Sequence, residues 1–97
     1  MKLILHPRIR LDLREIIEQY DRNSDRAGDR FIEEFNVALD LIEENPERFH
    51  FITPELRRCN LKHFPYHLVY EVRGSLIRVP VVRHHRRHPD YGLRRRW

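Results

Sequence analysis

The stretch YHLVYEVRGSLIRVPVV, residues 66–82, decides the fold, because two runs of alternating side chains meet at a tight turn. Apolar residues recur at every second position on both sides of Arg73-Gly74-Ser75, which is the spacing of strands with one buried face. A short glycine-containing break between two such runs is typical of a β-hairpin. The positions predicted to face the core are Leu68, Tyr70, Val72, Ile77, Val79 and Val81. Pro80 has no backbone N–H, so we expect it at a sheet edge or in a bulge.

The same alternation begins upstream of this hairpin and adds a third strand. Cys59 and Leu61 alternate with polar residues, and this spacing places Cys59 in the core as a buried structural thiol. The second half of the chain therefore predicts a three-stranded antiparallel meander. At the other end, residues 2–6 predict a short strand with Leu3 and Leu5 on one face.

Between the first strand and the meander, the apolar spacing changes to that of two helices. The first helix is expected to begin after Pro7, and its apolar stripe consists of Ile9, Leu13, Ile16, Ile17 and Tyr20. The second is expected to start at an N-cap Ser24 and to end near Glu44, since Pro46 disfavours a helical residue before it. The predicted fold is α+β, a single small domain over residues 1–97 in which an N-terminal strand and a helical hairpin precede the meander (β-α-α-β-β-β).

The composition is that of a globular protein, with 40% hydrophobic and 35% charged residues. No apolar run approaches the about 18 residues that a membrane helix needs. The single cysteine cannot form an internal disulfide, so we expect a cytoplasmic protein that contacts no membrane. There is no glycine-rich phosphate loop, and the histidines at 84, 85 and 88 lack a third ligand at metal-binding spacing. We therefore expect neither a cofactor nor a metal.

Charge is segregated along the chain. Residues 1–56 carry 8 Lys/Arg and 13 Asp/Glu, whereas residues 57–97 carry 11 Lys/Arg and 2 Asp/Glu. If the apolar side of the meander faces the helices, its other side presents Arg58, Lys62, His67, Arg78 and, further along the last strand, His84. This arrangement predicts an open basic sheet face that meets a polyanion or an acidic partner.

The order of elements and three local motifs resemble the RelE/ParE family of bacterial type II toxins, which includes plasmid stabilisation proteins. The segment RRCNLKHFPYHLVYEV, residues 57–72, looks like the family's arginine–leucine, Phe-Pro-Tyr and Tyr-x-Val core. Asn45-Pro46 matches the usual end of the second helix, and VVRHHRRHPDY, residues 81–91, looks like the family's closing segment. The likeness extends over residues 2–92, nearly the whole chain.

This resemblance implies a toxin that a small cognate antitoxin neutralises, and it leaves the target open. ParE-like members inhibit DNA gyrase without being nucleases, whereas RelE-like members cut mRNA in the ribosome. The pattern His-x-x-Arg-x-Pro, from His84 to Pro89, is closer to the ParE-like branch, and lysines are scarce in this half. We therefore expect a ParE-like growth inhibitor acting on DNA gyrase or an undefined target. The alternatives are a RelE-like, ribosome-dependent mRNA endonuclease and a non-toxic basic binding module.

The candidate site residues depend on which of these functions applies. A metal-independent endoribonuclease needs proton carriers beside positive charge, and histidine titrates near neutral pH. Its candidate catalytic residues are His84, His85, Arg87 and Tyr91. For binding without catalysis, the candidates are Arg58, Lys62, Arg78, Arg83, Arg86, Arg87 and Trp97.

The last residues, 91–97, leave two interpretations open. They are expected to be a frayed, flexible tail, as chain termini often are. Alternatively, Trp97 with the arginines at 94–96 contacts a target, because tryptophan and arginine are enriched at binding hot spots.

Overall fold

A computed structural model describes residues 1–97 and has the predicted order of elements. The elements are β1 (Lys2–Leu5), α1 (Ile9–Asp21), α2 (Ala27–Glu44), β2 (Leu56–Asn60), β3 (Tyr66–Arg73) and β4 (Leu76–His84). The α+β class and the β-α-α-β-β-β order are confirmed. Neither helix has the length and apolar character needed to cross a membrane.

The four strands form one mixed sheet in the order β1-β4-β3-β2. The strands β2, β3 and β4 pair as the predicted antiparallel meander, and β1 adds in parallel to β4. Consequently β4 lies inside the sheet, while β1 and β2 are its edges.

The helices and one face of the sheet enclose a single core. Its members are Ile9, Ile16, Phe31, Phe35, Ala38, Ile42, Cys59, Leu61, Tyr66, Leu68, Tyr70, Ile77, Val79 and Val82. Tyr70 carries a hydroxyl into this core, and this O–H donates to the carbonyl oxygen of Pro46 at 2.6 Å. The buried phenol is therefore satisfied, as a polar group in a core must be.

Pro80 lies in a β-bulge, which is one of the two positions expected for it. The register between β3 and β4 shifts between Val69 and Glu71, so that Tyr70 alone faces both Val79 and Pro80. A bulge leaves one residue out of the ladder, and a proline there removes no hydrogen bond.

The bulge also reverses the faces of β4 beyond it, and two sequence-based expectations are wrong for this reason. Val81 was expected to face the helices, but it lies on the outer side of the sheet, next to Gly92. His84 was expected on the outer basic face, but it lies on the helix side, packed edge-on against Tyr66. Val82 takes the core position instead.

The turn between the helices uses a different cap from the predicted Ser24. The residue before α2 is Arg26, which has a left-handed φ of 62° and no side-chain capping bond. Asp21 of α1 supplies the acceptor instead, since its Oδ1 receives the backbone N–H of Gly28 at 2.9 Å. A Cβ at Gly28 would lie 2.6 Å from Ile17, so only glycine permits this close approach.

Candidate functional site

Four basic side chains meet on the side of the sheet away from the helices, and we call them the outer-face cluster: Arg58, His67, Arg83 and His85. Arg83 Nε donates to His67 Nε2 over 2.9 Å. His67 Nδ1 lies 3.0 Å from His85 Nδ1, and Arg58 Nη2 donates to that same His85 nitrogen over 3.0 Å. The cluster thus joins β2, β3 and the end of β4.

The donors determine the tautomers of both histidines. A guanidinium only donates, so His67 accepts from Arg83 at Nε2 and carries its hydrogen on Nδ1. That hydrogen points to Nδ1 of His85, which also accepts from Arg58, so His85 carries its hydrogen on Nε2. Both rings are therefore neutral acceptors between two permanent cations.

Burial and neighbouring charge keep the histidines neutral. His67 is 1% exposed, and burial, followed by the charges of Arg58 and Arg83, lowers its pKa to about 3. The pKa of His85 is lowered too, first by burial and then by Arg58. Burial also lowers the pKa of Arg83, which nevertheless stays protonated at neutral pH. The cluster carries two positive charges and no hydrogen-bonded carboxylate.

A cavity of about 250 Å³ lies beside the outer-face cluster. The loop at Ile52 and Thr53 forms one side of it, and Arg87, Pro89 and Asp90 form another. The chain that follows β4 is held there because Nη1 of Arg83 donates to the carbonyls of Pro89 at 2.7 Å and Tyr91 at 3.0 Å. The backbone after the sheet thus supplies neutral acceptors for a buried cation.

A second pocket, of about 230 Å³, lies between α1 and the end of β4, and we call it the α1–β4 pocket. Its lining includes Asp12, Glu15, Ile16, Gln19, Tyr66, Val82, His84, Arg87 and Tyr91. His84 accepts the backbone N–H of Arg86 at its Nδ1, 3.0 Å away. The guanidinium of Arg87 stacks 4.3 Å from the ring centre of Tyr91. The pocket therefore combines acidic, basic and aromatic groups.

Three of the four candidate nuclease residues line one pocket, and the fourth lies beside it. His84, Arg87 and Tyr91 line the α1–β4 pocket, whereas His85, the first residue after β4, belongs to the outer-face cluster. The ring centres of the two histidines are 6.3 Å apart, and Arg87 also lines the cavity beside the outer-face cluster.

The other binding candidates are spread over the surface. Lys62 and Arg86 are exposed, and neither belongs to the outer-face cluster. Arg78 lies on the outer face at the opposite end of β4, where its Nε is 3.6 Å from a carboxylate oxygen of Glu71. Its guanidinium sits 4.3 Å from the ring centre of Trp97, and this contact brings the chain terminus onto the sheet.

Residues 90–97 lie across the outer side of β4, and we call them the C-terminal strap. Arg95 donates from both terminal nitrogens to Asp12, each over 2.7 Å, and also to the carbonyl of Pro80 over 3.0 Å. Gly92 touches Val81 so closely that a Cβ would lie 2.5 Å from a methyl carbon. The strap therefore covers part of the basic face that was expected to be open, around Arg78 and Arg83, while Lys62 remains exposed.

Two residues that hold the strap are absent from the sequence-based candidates. Asp12 is 7% exposed within the apolar stripe of α1, and its pairing with Arg95 raises the pKa of that arginine. A carboxylate on an apolar helix face is a signal for a buried cation, so Asp12 could have been found. His6 donates from Nε2 to the carbonyl of Arg96 at 2.7 Å and packs edge-on against Trp97. No pattern in the sequence pointed to His6.

An apolar groove of about 540 Å³ runs along α1 beside the edge strand β1. Its apolar lining consists of Leu5, Pro7, Ile9, Leu13, Ile17 and Ile32. Arg10 and Arg14 add positive charge to it. The groove thus combines an apolar floor with a basic margin.

Cys59 is 1% exposed, and burial raises the pKa of its thiol to about 11, so it is the buried structural thiol expected from the alternation. Nowhere do three or more His, Cys, Asp or Glu side chains come together in a way that could hold a metal ion.

Comparison with known proteins identifies the family. A search of curated proteins found no match. The chromosomal ParDE toxin–antitoxin system from P. aeruginosa has a similar fold, with a TM-score of 0.76 over 87% of this chain and 95% of that chain, at 15% sequence identity. The family described as "ParE toxin of type II toxin-antitoxin system, parDE" matches residues 3–89. Since this match extends over nearly the whole chain, the protein belongs to the ParE toxin family of type II toxin–antitoxin systems.

Proposed function

We propose that this toxin stops bacterial growth by binding DNA gyrase in the cytoplasm and not by cutting RNA. The observation that carries the proposal is that both candidate histidines already use Nδ1 within the protein: His85 in its contacts with Arg58 and His67, and His84 to accept the backbone N–H of Arg86. Metal-independent cleavage requires a base, an acid and positive charge around one phosphate. His85 is a poor base because its Nδ1 lone pair already accepts from Arg58 and His67.

A binding function needs exposed charge instead of a proton relay. Lys62, Arg86 and Arg87 are exposed cations near the end of the sheet, and they are the proposed contacts with gyrase. Arg83 is excluded from such a test, because reversing a buried charge would disrupt the sheet. The double substitution Arg86→Glu and Arg87→Glu should abolish growth arrest and leave the circular dichroism spectrum unchanged. Lys2→Glu, on the distant first strand, is the matched control and should remain toxic.

The test of the mechanism is induced expression in a bacterial host, followed by mapping of transcript 5′ ends and by supercoiling assays with purified gyrase. We expect growth arrest, intact messages and inhibited gyrase. New 5′ ends at codon-related positions in translated messages, with gyrase unaffected, would overturn the proposal.

The α1–β4 pocket supports one alternative, a ribosome-dependent mRNA endonuclease. It brings His84, Arg87 and Tyr91 together, and a tyrosine ring can stack on a base while arginine stabilises phosphate charge. In that case His84→Gln should reduce message cleavage strongly, whereas His88→Gln, an exposed neighbour, should not. Equal cleavage by both variants would exclude His84 as the proton carrier.

A cognate antitoxin is the proposed partner, and the apolar groove is its proposed docking site. The apolar floor beside the basic margin fits an amphipathic helix with acidic flanks. Toxicity and neutralisation can be measured separately by co-expression. Arg10→Glu with Arg14→Glu should remain toxic and resist the antitoxin, whereas Arg22→Glu, at the far end of α1, should still be neutralised. Neutralisation of the double variant at wild-type levels would place the antitoxin elsewhere.

A further inference from the structure

The C-terminal strap is rich in arginine, and the surface on which it lies also carries positive charge. The strap contains Arg94, Arg95 and Arg96, and the sheet beneath it contributes Arg78 and Arg83. Like charges in close contact oppose docking, so the strap must be held by particular contacts. The strongest is the buried pairing of Arg95 with Asp12, whose side chains are 10% and 7% exposed.

The fit of the strap is incomplete at its end. Arg78 Nε is buried and has no hydrogen-bond partner, the only buried side-chain nitrogen or oxygen of the molecule in that state. The carboxylate of Glu71 lies 3.6 Å from it, close enough for an ion pair but too far for a hydrogen bond. The Trp97 ring supplies a cation–π contact at 4.3 Å but no acceptor, and Trp97 itself remains 47% exposed. An unsatisfied buried donor is costly, and a second carboxylate within hydrogen-bond distance would satisfy it.

The surface under the strap has the features of a peptide-binding site, because a peptide already occupies it. Arg83 donates to two backbone carbonyls, that of Pro89 just before the strap and that of Tyr91 within it. Val81 is fully buried beneath Gly92, where only a residue without a side chain fits. An extended segment of another protein can offer the same carbonyls, together with a carboxylate for Arg78.

We propose that residues 90–97 are a displaceable strap, and that the surface beneath them is a docking site for an acidic peptide segment of a partner protein. The incoming carboxylate pairs with Arg78, and its backbone replaces that of the strap at Arg83. The Asp12–Arg95 pair acts as the latch that sets how often the site is open. This proposal does not depend on gyrase, since it concerns the purified chain alone.

Trp97 is the only tryptophan and reports on the strap directly. The experiment follows its emission wavelength and its quenching by acrylamide while a short glutamate-rich peptide with one phenylalanine is added. A peptide with glutamine in place of glutamate controls for charge, and a single-stranded oligonucleotide controls for any polyanion. Asp12→Asn opens the latch, and Asp40→Asn is the matched variant, because Asp40 is exposed on α2 and its side chain makes no hydrogen bond or ion pair.

We expect the glutamate peptide to shift Trp97 emission to longer wavelength and to increase its quenching, while the glutamine peptide does neither. Asp12→Asn should bind the glutamate peptide at least about fivefold more tightly, because more molecules are already open. Asp40→Asn should behave like the wild type. Binding without any change at Trp97, or a latch variant that binds no more tightly, would overturn the proposal. An equal response to the oligonucleotide would overturn the assignment to a peptide.

A second variant keeps the test decisive if Asp12→Asn does not fold. Arg78→Gln removes this cation, together with its 3.6 Å ion pair with Glu71, from a position that contributes no core contact on the helix side. Its far-ultraviolet circular dichroism should match the wild type, and its affinity for the glutamate peptide should fall to that of the glutamine control. Wild-type affinity in this variant would contradict the role given to Arg78.

Discussion

Two buried arginines, Arg83 and Arg95, donate their hydrogen bonds to different kinds of acceptor, neutral groups in one case and a carboxylate in the other. Arg83 is 6% exposed and donates to the neutral ring of His67 and to backbone carbonyls. Arg95, whose side chain is 10% exposed, donates to the carboxylate of Asp12. Accordingly, burial lowers the pKa of Arg83, whereas hydrogen bonding to Asp12 raises that of Arg95.

The difference concerns both charge and freedom to move. Arg83 donates only to neutral acceptors and faces the carboxylate of Asp90 without a hydrogen bond, whereas Asp12 pairs directly with Arg95 and cancels its charge. Arg83 belongs to an interior strand, and the chain that follows β4 covers it. Arg95 belongs to a terminal segment that can detach alone. Removing a hydrogen-bond partner of Arg83 should therefore destabilise the protein more than removing a partner of Arg95.

The largest expected effect comes from His67→Phe. The substitution keeps a ring of similar size but removes the acceptor of Arg83 Nε, and the strand holds the unsatisfied cation in place. We expect the free energy of unfolding to fall by about 3 kcal/mol, measured by urea denaturation at neutral pH.

The matched control for this substitution is His50→Phe. His50 is exposed, and its side chain makes no hydrogen bond, so the change should stay within about 0.5 kcal/mol. If His67→Phe were equally mild, neutral acceptors would not be what stabilises Arg83.

Acid should weaken the same site without any mutation. The folded pKa of His67 is about 3, below its ordinary value of 6.5, so the unfolded chain binds the extra proton first as pH falls. The stability due to this neutral ring is complete above pH 6.5 and is lost progressively towards pH 3. Between pH 6.5 and about pH 5, we expect the free energy of unfolding to fall by about 2 kcal/mol because of His67. Urea denaturation at each pH measures this loss. The lowered pKa of His85 acts in the same direction.

His67→Gln isolates that titration. Glutamine can accept from Arg83 but does not ionise, so its stability should vary less with pH across this window. A wild-type slope in the glutamine variant would mean that another group causes the acid sensitivity.

The fold was predictable because its signals are local. The two periods of apolar residues and the turn at Arg73-Gly74-Ser75 were enough for the order of elements. Pro80 pointed to a bulge, but alternation alone could not tell that the bulge reverses every later side chain. For that reason Val81 and His84 were assigned to the wrong faces.

The strap was not predictable, because its contacts join the two ends of the chain. Asp12 and Arg95 are 83 positions apart, and His6 and Arg96 are 90 apart. The spacing of apolar residues along the sequence gives no information about contacts between residues so far apart. The basic composition of the second half was visible, but which cations are buried and which are exposed depends on this distant pairing.

A smaller effect is expected at Gly92, the glycine within the strap. Gly92 has a φ of 78°, and a Cβ there would collide with Val81, so Gly92→Ala should detach the strap at a cost of about 2 kcal/mol. Gly74 has a φ of 56° and open space around it, so Gly74→Ala carries only the backbone strain, about 1 kcal/mol. Thermal unfolding measures both, and acrylamide quenching of Trp97 should increase in the first variant only. Increased quenching in both would show that the strap responds to general destabilisation.

The smallest effect should come from Arg95→Lys, and it tests the contrast between the two arginines most directly. Lysine keeps the ion pair with Asp12 but loses the two-pronged contact and the bond to the carbonyl of Pro80. Because a weakened strap can detach and expose residue 95 to water, the loss of stability should stop at about 0.5–1 kcal/mol in urea denaturation. Arg94→Lys, on the exposed side of the strap, should have no measurable effect. If Arg95→Lys instead destabilised the protein as much as His67→Phe, residue 95 would be as immovable as Arg83. The strap would then be an integral part of the fold, and the proposed docking site beneath it would be closed in every folded molecule.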